Sequence, residues 1–317
     1  MNTLGSAKAS TAASRMPYLW GLPLLALLVL PMTISSPYVL HVIVLVGYYS
    51  AVALSLDIIA GFLGELSFGH AGFLAVGAYT GALLTLKVFT GWWGFWLSLP
   101  IGGLMALVMG IAIGIPTLRI KGHYFFIVTM GFGEIVRFIL LNWISLTRGP
   151  LGLTGIASPQ IGTFMFRERS HYYYLILALG LVTLVAVRRL RNSYIGRAWV
   201  AIRENDLAAE TMGVNLTYYK VLAFLVSAFF AGLAGVFFAH YLNYLHPNNF
   251  VALESIMILM MVILGGQGTI WGPIVGAVIL VGAQEILRPV AEMRMLFVGV
   301  LMVVLMVFRP NGLLGRR

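Results

Sequence analysis

Long apolar runs follow one another along this chain with little polar sequence between them, and that succession limits its folds more than any motif does. The runs fall at about 18–34, 38–62, 70–90, 92–115, 123–143, 171–187, 218–245, 252–265, 270–288 and 294–309. Most approach the roughly twenty residues that carry a helix across a bilayer, and they lack the ten-residue alternation of an outer-membrane barrel. Composition agrees: 60% of residues are hydrophobic, 9% are charged and the mean hydropathy is +0.96, so the polar surface is too small to cover a soluble globule. The expected fold is all-α, a polytopic transmembrane helical bundle of about 8–10 spans with broken or re-entrant segments.

A net charge of +10 would suggest nucleic acid for a soluble chain. Here the basic residues stand mostly at the ends of apolar runs, so the expected partner is the lipid bilayer and not nucleic acid. Ten crossings put both termini on one side. That side receives thirteen of the twenty basic residues, among them Arg188, Arg189, Arg191, Arg197, Arg203, Lys220 and Arg309, and the positive-inside rule makes it cytoplasmic. The expected organisation is a cytoplasmic tail over 1–17, a membrane domain over 18–309 with a cytoplasmic loop at 188–220, and a cytoplasmic tail over 310–317. The run at 252–265 is short for a crossing, which leaves open an eight- or nine-span arrangement with a re-entrant piece there. The first run lacks a small-residue cleavage site and is read as a retained helix.

No phosphate-binding loop, H-E-x-x-H, G-x-S-x-G or cysteine cluster is present. The expectation is a chain that is not an enzyme and binds no cofactor or metal itself. LGGQG at 264–268 superficially matches an ATPase signature, but it lies between two apolar runs and reads as a tight membrane turn. The polar residues inside the runs are few: Asp57, Glu65, His70, Glu134, Arg137, Glu254 and Glu285. Glu134 and Arg137 are three apart and are expected to pair on one helix surface, with a substrate contact as the alternative. His70, between Gly69 and Gly72, is expected to satisfy local backbone groups rather than hold a metal. Asp57 and Glu65 flank GFLG, where a break in a helix requires a protein-lined or wet cavity. They are candidate path residues, against simple packing as the alternative.

Gly77/Gly81, Gly110/Gly114 and Gly272/Gly276 have the four-residue spacing that lets helix backbones approach closely in lipid. GELSFGHAG at 64–72 and GGQGTIWG at 265–272 are denser than packing requires. Interrupted helices of this kind aim half-helix N-termini and unwound carbonyls at a transported solute. Ser67, Gly69, His70, Gly265, Gly266 and Gly268 therefore join Asp57 and Glu65 as translocation-path candidates.

One stretch stands out from the apolar background: GRAWVAIRENDLAAETMGVN, 196–215, carries three of the ten acidic residues and two arginines. Ala201, Ala208, Ala209 and Glu210 favour helix, Gly213 is a stop, and Asn215 with Thr217 can begin the next helix. A short cytoplasmic helix over 203–213 is expected. Small residues followed by a glutamate and, three residues on, a glycine resemble the coupling-helix "EAA" loop of ABC importer permeases, which docks in a groove of the ATPase subunit.

The resemblance extends to SLDIIAGFLGELSFGHAGFLAVGAYTGALL (55–84), TLRIKGHYFFIVTMGFGEIVRFILLNW (117–143), LTRGPLGLTGI (146–156), the segment 196–240, VILGGQGTIWGPIVGA (262–277) and the C-terminal RPNGLLG. Together these blocks are similar to the LivM-like permease subunits of branched-chain amino acid importers; 1–17 and 157–170 are not covered. The resemblance implies a translocation path shared with a second homologous permease subunit, two cytoplasmic ATPase subunits that use ATP, and a periplasmic or extracellular substrate-binding protein. It also implies a bacterial inner membrane. Arg203, Glu204, Asp206, Ala208, Ala209, Glu210 and Gly213 are then the ATPase-coupling residues. A permease for urea or a related small polar solute is the alternative within that family, and a stand-alone secondary transporter or channel is the alternative outside it.

Overall fold

The computed structural model describes residues 27–34, 36–89, 91–117, 123–288, 294–309 and 311–315. The tail at 1–17 and the start of the first apolar run lie outside them. Residues 27–33 are helical, and among the described residues eleven α-helices of six or more residues follow: α1 (Pro37–Asp57), α2 (His70–Lys87), α3 (Trp93–Thr117), α4 (His123–Asn142), α5 (Arg169–Arg191), α6 (Tyr194–Glu204), α7 (Asp206–Thr211), α8 (Leu216–Leu242), α9 (Ala252–Gly265), α10 (Gly272–Ile286) and α11 (Arg294–Phe308), with a single helical turn at Ile144–Thr147. α1 runs on directly into a π-helical turn, Ile58–Leu63. At one end of the bundle, strands Leu153–Thr154 and Tyr244–Leu245 pair antiparallel, as do Gln160–Ile161 and Phe164–Met165. The opposite end carries α6 and α7.

Among the described residues six segments are long and apolar enough to cross a membrane: 37–63, 93–116, 124–142, 169–191, 216–242 and 247–265. α10 and residues 296–308 are shorter apolar helices. At about 1.5 Å per residue, α9 and α10 reach some 21–23 Å, less than the roughly 30 Å hydrocarbon core. Among the described residues the expected crossings are thus a mixture of full-length and partial helices.

Close approach through glycine holds the bundle together, as expected where lipid supplies no hydrophobic drive between helices. Gly77 lies against the Gly232 backbone, and a Cβ on Gly81 would stand 2.8 Å from a Val236 methyl, so α2 and α8 pack side by side. Gly276 lies against the Met261 carbonyl and Gly272 against Gly265, which joins α10 to α9. A Cβ on Gly110 would stand 3.1 Å from the Ala228 methyl of α8, whereas one on Gly114 would make only ordinary contact.

Local chemistry sets the three helix starts around the polar stretch. Ser193, Asn205 and Asn215 are the N-caps of α6, α7 and α8, and their side-chain oxygens accept from the amides of Gly196, Ala208 and Tyr218. Gly213, at φ +86°, ends the turn after α7. The expected single helix over 203–213 is therefore two helices. Asn205, extended at φ −162° and ψ 109°, breaks the first and caps the second.

Candidate functional site

At the α6–α7 end, three segments far apart in sequence meet on one arginine. The Arg203 guanidinium donates to the Gly61 carbonyl inside the π turn. Its side chain also fills the space beside two glycines that have positive φ. A Cβ on Gly64 would stand 2.7 Å from Arg203 Cγ, and one on Gly268 would stand 2.7 Å from an Arg203 guanidinium nitrogen. Asp57, fully buried, completes the junction: its Oδ1 accepts the Gly268 amide at 2.9 Å. Gly61 must be a glycine, because the Asp57 carboxylate and the Gly268 amide occupy the place of any side chain. A π turn frees backbone carbonyls from the regular ladder and is often found at functional positions. Here a freed carbonyl is what Arg203 holds.

Gly64 of the first glycine cluster and Gly268 of the second are thus brought to one end of the bundle together with a residue of the polar loop. Gly265 and Gly266 meet the C-terminal turn. Leu313 and Leu314 donate their amides to the Leu264 and Gly265 carbonyls, both at 2.9 Å, so the C-terminal turn caps the end of α9. Gly266, at φ +114°, lets that turn pack against it. The sequence contained the C-terminal block but no sign of its use as a cap.

The chain then turns back from this end, and α2 begins halfway through the bundle. His70 Nε2 lies 2.8 Å from Ser55 Oγ on α1, and the Ser55 carbonyl accepts from Ser227, near the middle of the 27-residue α8. His70 therefore bonds across to α1 rather than to neighbouring backbone groups. Gly69 lies against the Thr129 carbonyl of α4, and Ser67 Oγ accepts from the Gly69 amide at 3.4 Å. α9 begins at the same depth. The Ala71 amide donates to Ser255 Oγ at 2.8 Å, and the Ala252 amide donates to Glu134 Oε1 at 2.9 Å. Two partial helices pointing in opposite directions thus meet by their N-termini, the ends where helix dipoles favour negative charge. Glu134 also accepts from Arg137 Nε at 2.7 Å, so the expected pair forms and serves as a cap for α9.

Glu65 is not an open carboxylate. Lys220, buried near the start of α8, reaches it at 2.7 Å with both side chains mostly covered. Reading Lys220 only as a topology charge missed this pairing. Its position one turn inside a strongly apolar helix was the available signal.

α6 buries Gly196, Ala198, Trp199 and Ile202; Trp199 and Ile202 share one core with Ile58, Phe62, Leu63, Val187 and Ala223, and Trp199 Nε1 donates to the Tyr219 carbonyl at 2.8 Å. Ala209, one of the expected coupling residues, belongs to this core at 4% exposure. Glu204, Ala208, Glu210 and Gly213 are exposed and Asp206 is half-buried. Beside them stand Leu207 and Met212, 67% and 84% exposed, two apolar side chains that the sequence reading passed over.

Residues 38–306 match the family described as the permease component of branched-chain amino acid transport systems. The chain is 39% identical to the high-affinity branched-chain amino acid transport permease LivM of Escherichia coli strain K12, over 92% of this chain and 74% of the relative. It is 38% identical to LivM of Salmonella typhimurium over 84% and 67%, and 26% identical to LivH of Escherichia coli strain K12 over 84% and 91%. No solved structure matches it. The mixture of full-length and partial apolar helices and the match over most of the chain agree: this multi-pass membrane protein belongs to the family of branched-chain amino acid transport permease components.

Proposed function

We propose that the chain is one permease subunit of an ATP-driven importer and forms, with a second related permease, the path for branched-chain amino acids across a bacterial inner membrane. Its similarity to both LivM and LivH supports pairing with a homologous subunit. ATP is used by two separate ATPase subunits on the cytoplasmic side, and a binding protein delivers the amino acid from the other side. The α6–α7 end and both termini face the cytoplasm, in keeping with the arginines grouped at the end of α5.

The observation that carries this reading is the Arg203 junction. α6 and α7 share one core with Ile58–Leu63, and their exposed face offers Leu207, Ala208, Glu210 and Met212 to a partner. Arg203 connects that face to the Gly61 carbonyl, and through Gly268 to the α9–α10 turn. Movement of α6 and α7 by an ATPase therefore reaches the two segments that close this end, as a gate must be reached. Uptake in reconstituted vesicles tests the reading. Leucine accumulation that requires ATP, the ATPase subunits and the binding protein is expected. Accumulation by this chain alone under an ion gradient would replace it with a secondary transporter.

A further inference from the structure

Three full-length spans share the end of the bundle opposite α6 and α7: α1 and α5 begin there and α8 finishes there. Between their ends lies a cavity of about 260 Å³, lined by His41 from α1, Arg169 from the first turn of α5, Tyr241 and Leu242 from the last turn of α8, and Ser158 and Arg167 from the chain before α5. Each of these spans is long enough to cross the hydrocarbon core, so their common end lies at the level of the lipid headgroups. The charge in the cavity is of one sign. Arg167 and Arg169 line it, and among the described residues no carboxylate does. Glu168, between them in sequence, accepts from Ser170 Oγ at 3.2 Å, and Glu285 at the same end is held by Tyr38 and Arg288. Among the described residues each of the two arginines bonds a neutral acceptor: Arg169 donates from Nη1 to the Pro37 carbonyl, and Arg167 from Nε to Met165 Sδ. A guanidinium carries five N–H donors in a planar fork, so both keep donors for an anion.

We propose that this pocket binds the phosphate of an anionic phospholipid, with Arg167 and Arg169 holding its oxygens and Leu242, 38% exposed, meeting the start of an acyl chain. The inference needs only that the chain spans a bilayer, and it stands apart from the importer reading. Arginine forks match phosphate oxygens in pairs, and basic pockets between membrane helices are suited to anionic headgroups. The volume exceeds the ~150 Å³ of a cavity that admits benzene, so a phosphate can enter with its glycerol. A transported amino acid fits poorly, because its ammonium would face two arginines and no carboxylate. The same repulsion separates lipids: phosphatidylethanolamine carries an ammonium beside its phosphate, whereas phosphatidylglycerol carries two hydroxyls that can bond Ser158 and Tyr241.

Native mass spectrometry of the full-length protein, isolated in detergent and stripped of lipid, tests the site with four probes: phosphatidylglycerol, phosphatidylethanolamine, glycerol 3-phosphate and inorganic phosphate. Phosphatidylglycerol is expected to bind at least tenfold more tightly than the other three. Arg167→Gln combined with Arg169→Gln should weaken it at least tenfold and bring it level with phosphatidylethanolamine. The paired lysine variant, Arg167→Lys with Arg169→Lys, keeps the charges without the forks and should lie between. Lys87→Gln is the control: Lys87 is exposed at the end of α2, which runs beside α8 toward the same end, and it lies outside the pocket. Binding of phosphatidylglycerol should be unchanged there. Added phosphatidylglycerol should also raise the melting temperature of the wild type and not of the paired glutamine variant, whose lipid-free melting temperature should match the wild type because both arginines are exposed. Glycerol 3-phosphate or inorganic phosphate binding as tightly as phosphatidylglycerol would overturn the lipid assignment. Equal binding of phosphatidylglycerol by the wild type and the paired glutamine variant would overturn the site itself, and loss of binding-protein association in that variant would then give the two arginines to a protein partner.

Discussion

Asp57 and Gly268 stand 211 positions apart, yet the fully buried Asp57 carboxylate accepts the Gly268 amide at 2.9 Å. This bond ties the end of α1 to the α9–α10 turn, and Arg203 lies across both. Asp57→Ala leaves the Gly268 amide without its acceptor at a covered position, a loss of about 1–3 kcal/mol to the closed end. The expected outcome is raised ATP hydrolysis in the absence of binding protein, with transport reduced. Basal hydrolysis at the wild-type level would show that the bond does not keep the importer at rest.

Gly61 allows no side chain. Gly61→Ala places a methyl on the Asp57 carboxylate and on the Gly268 backbone amide, which are bonded to each other and cannot move aside without breaking that bond. Uptake should fall at least tenfold. Gly131→Ala is the control, because a Cβ there meets nothing within 4 Å. Equal uptake by the two variants would remove the close approach at Gly61 from the mechanism.

Glu65 and Lys220 form a mostly buried pair, and such pairs are costly to break from one side only, by roughly 3–5 kcal/mol. Glu65→Gln and Lys220→Met should each lower the melting temperature of the purified complex. The double variant should recover most of the loss, since no isolated charge remains. Additive losses in this double-mutant cycle would mean that the two side chains do not depend on each other.

Leu207 and Met212 are expected to anchor the ATPase, apolar side chains within a polar rim being typical of an interface centre. Leu207→Asp and Met212→Asp should abolish co-purification of the ATPase subunits while the permease pair stays monodisperse. Ala209→Trp should instead lower expression, because Ala209 sits in a closed core with Trp199 and Ile202. Retained ATPase binding in both aspartate variants would move the interface elsewhere.

Apolar run length made the bundle legible, because the thickness of a bilayer sets a single scale that sequence shows directly. The polar stretch at 196–215 was equally visible, and the roles of Asn215 and Gly213 followed from capping chemistry. What sequence did not reveal was which face of a residue meets what. Ala208 and Ala209 are alike in composition, and only the break at Asn205 turns one outward and the other into the core. Glu65 was visible as a charge, but its neutralisation by Lys220 depends on the chain doubling back after the π turn. The same holds for Arg203, whose contacts with Gly61, Gly64 and Gly268 bring together segments that no local pattern relates.

The coupling ratio of Arg203→Met, leucine molecules accumulated per ATP hydrolysed in proteoliposomes holding the complete importer, tests the central claim most directly. Methionine keeps most of the side-chain length and loses the donor to the Gly61 carbonyl. The account predicts that hydrolysis continues and the ratio falls at least tenfold. A wild-type ratio in that variant would contradict it, because the junction would then carry no motion from α6 and α7 to the gate.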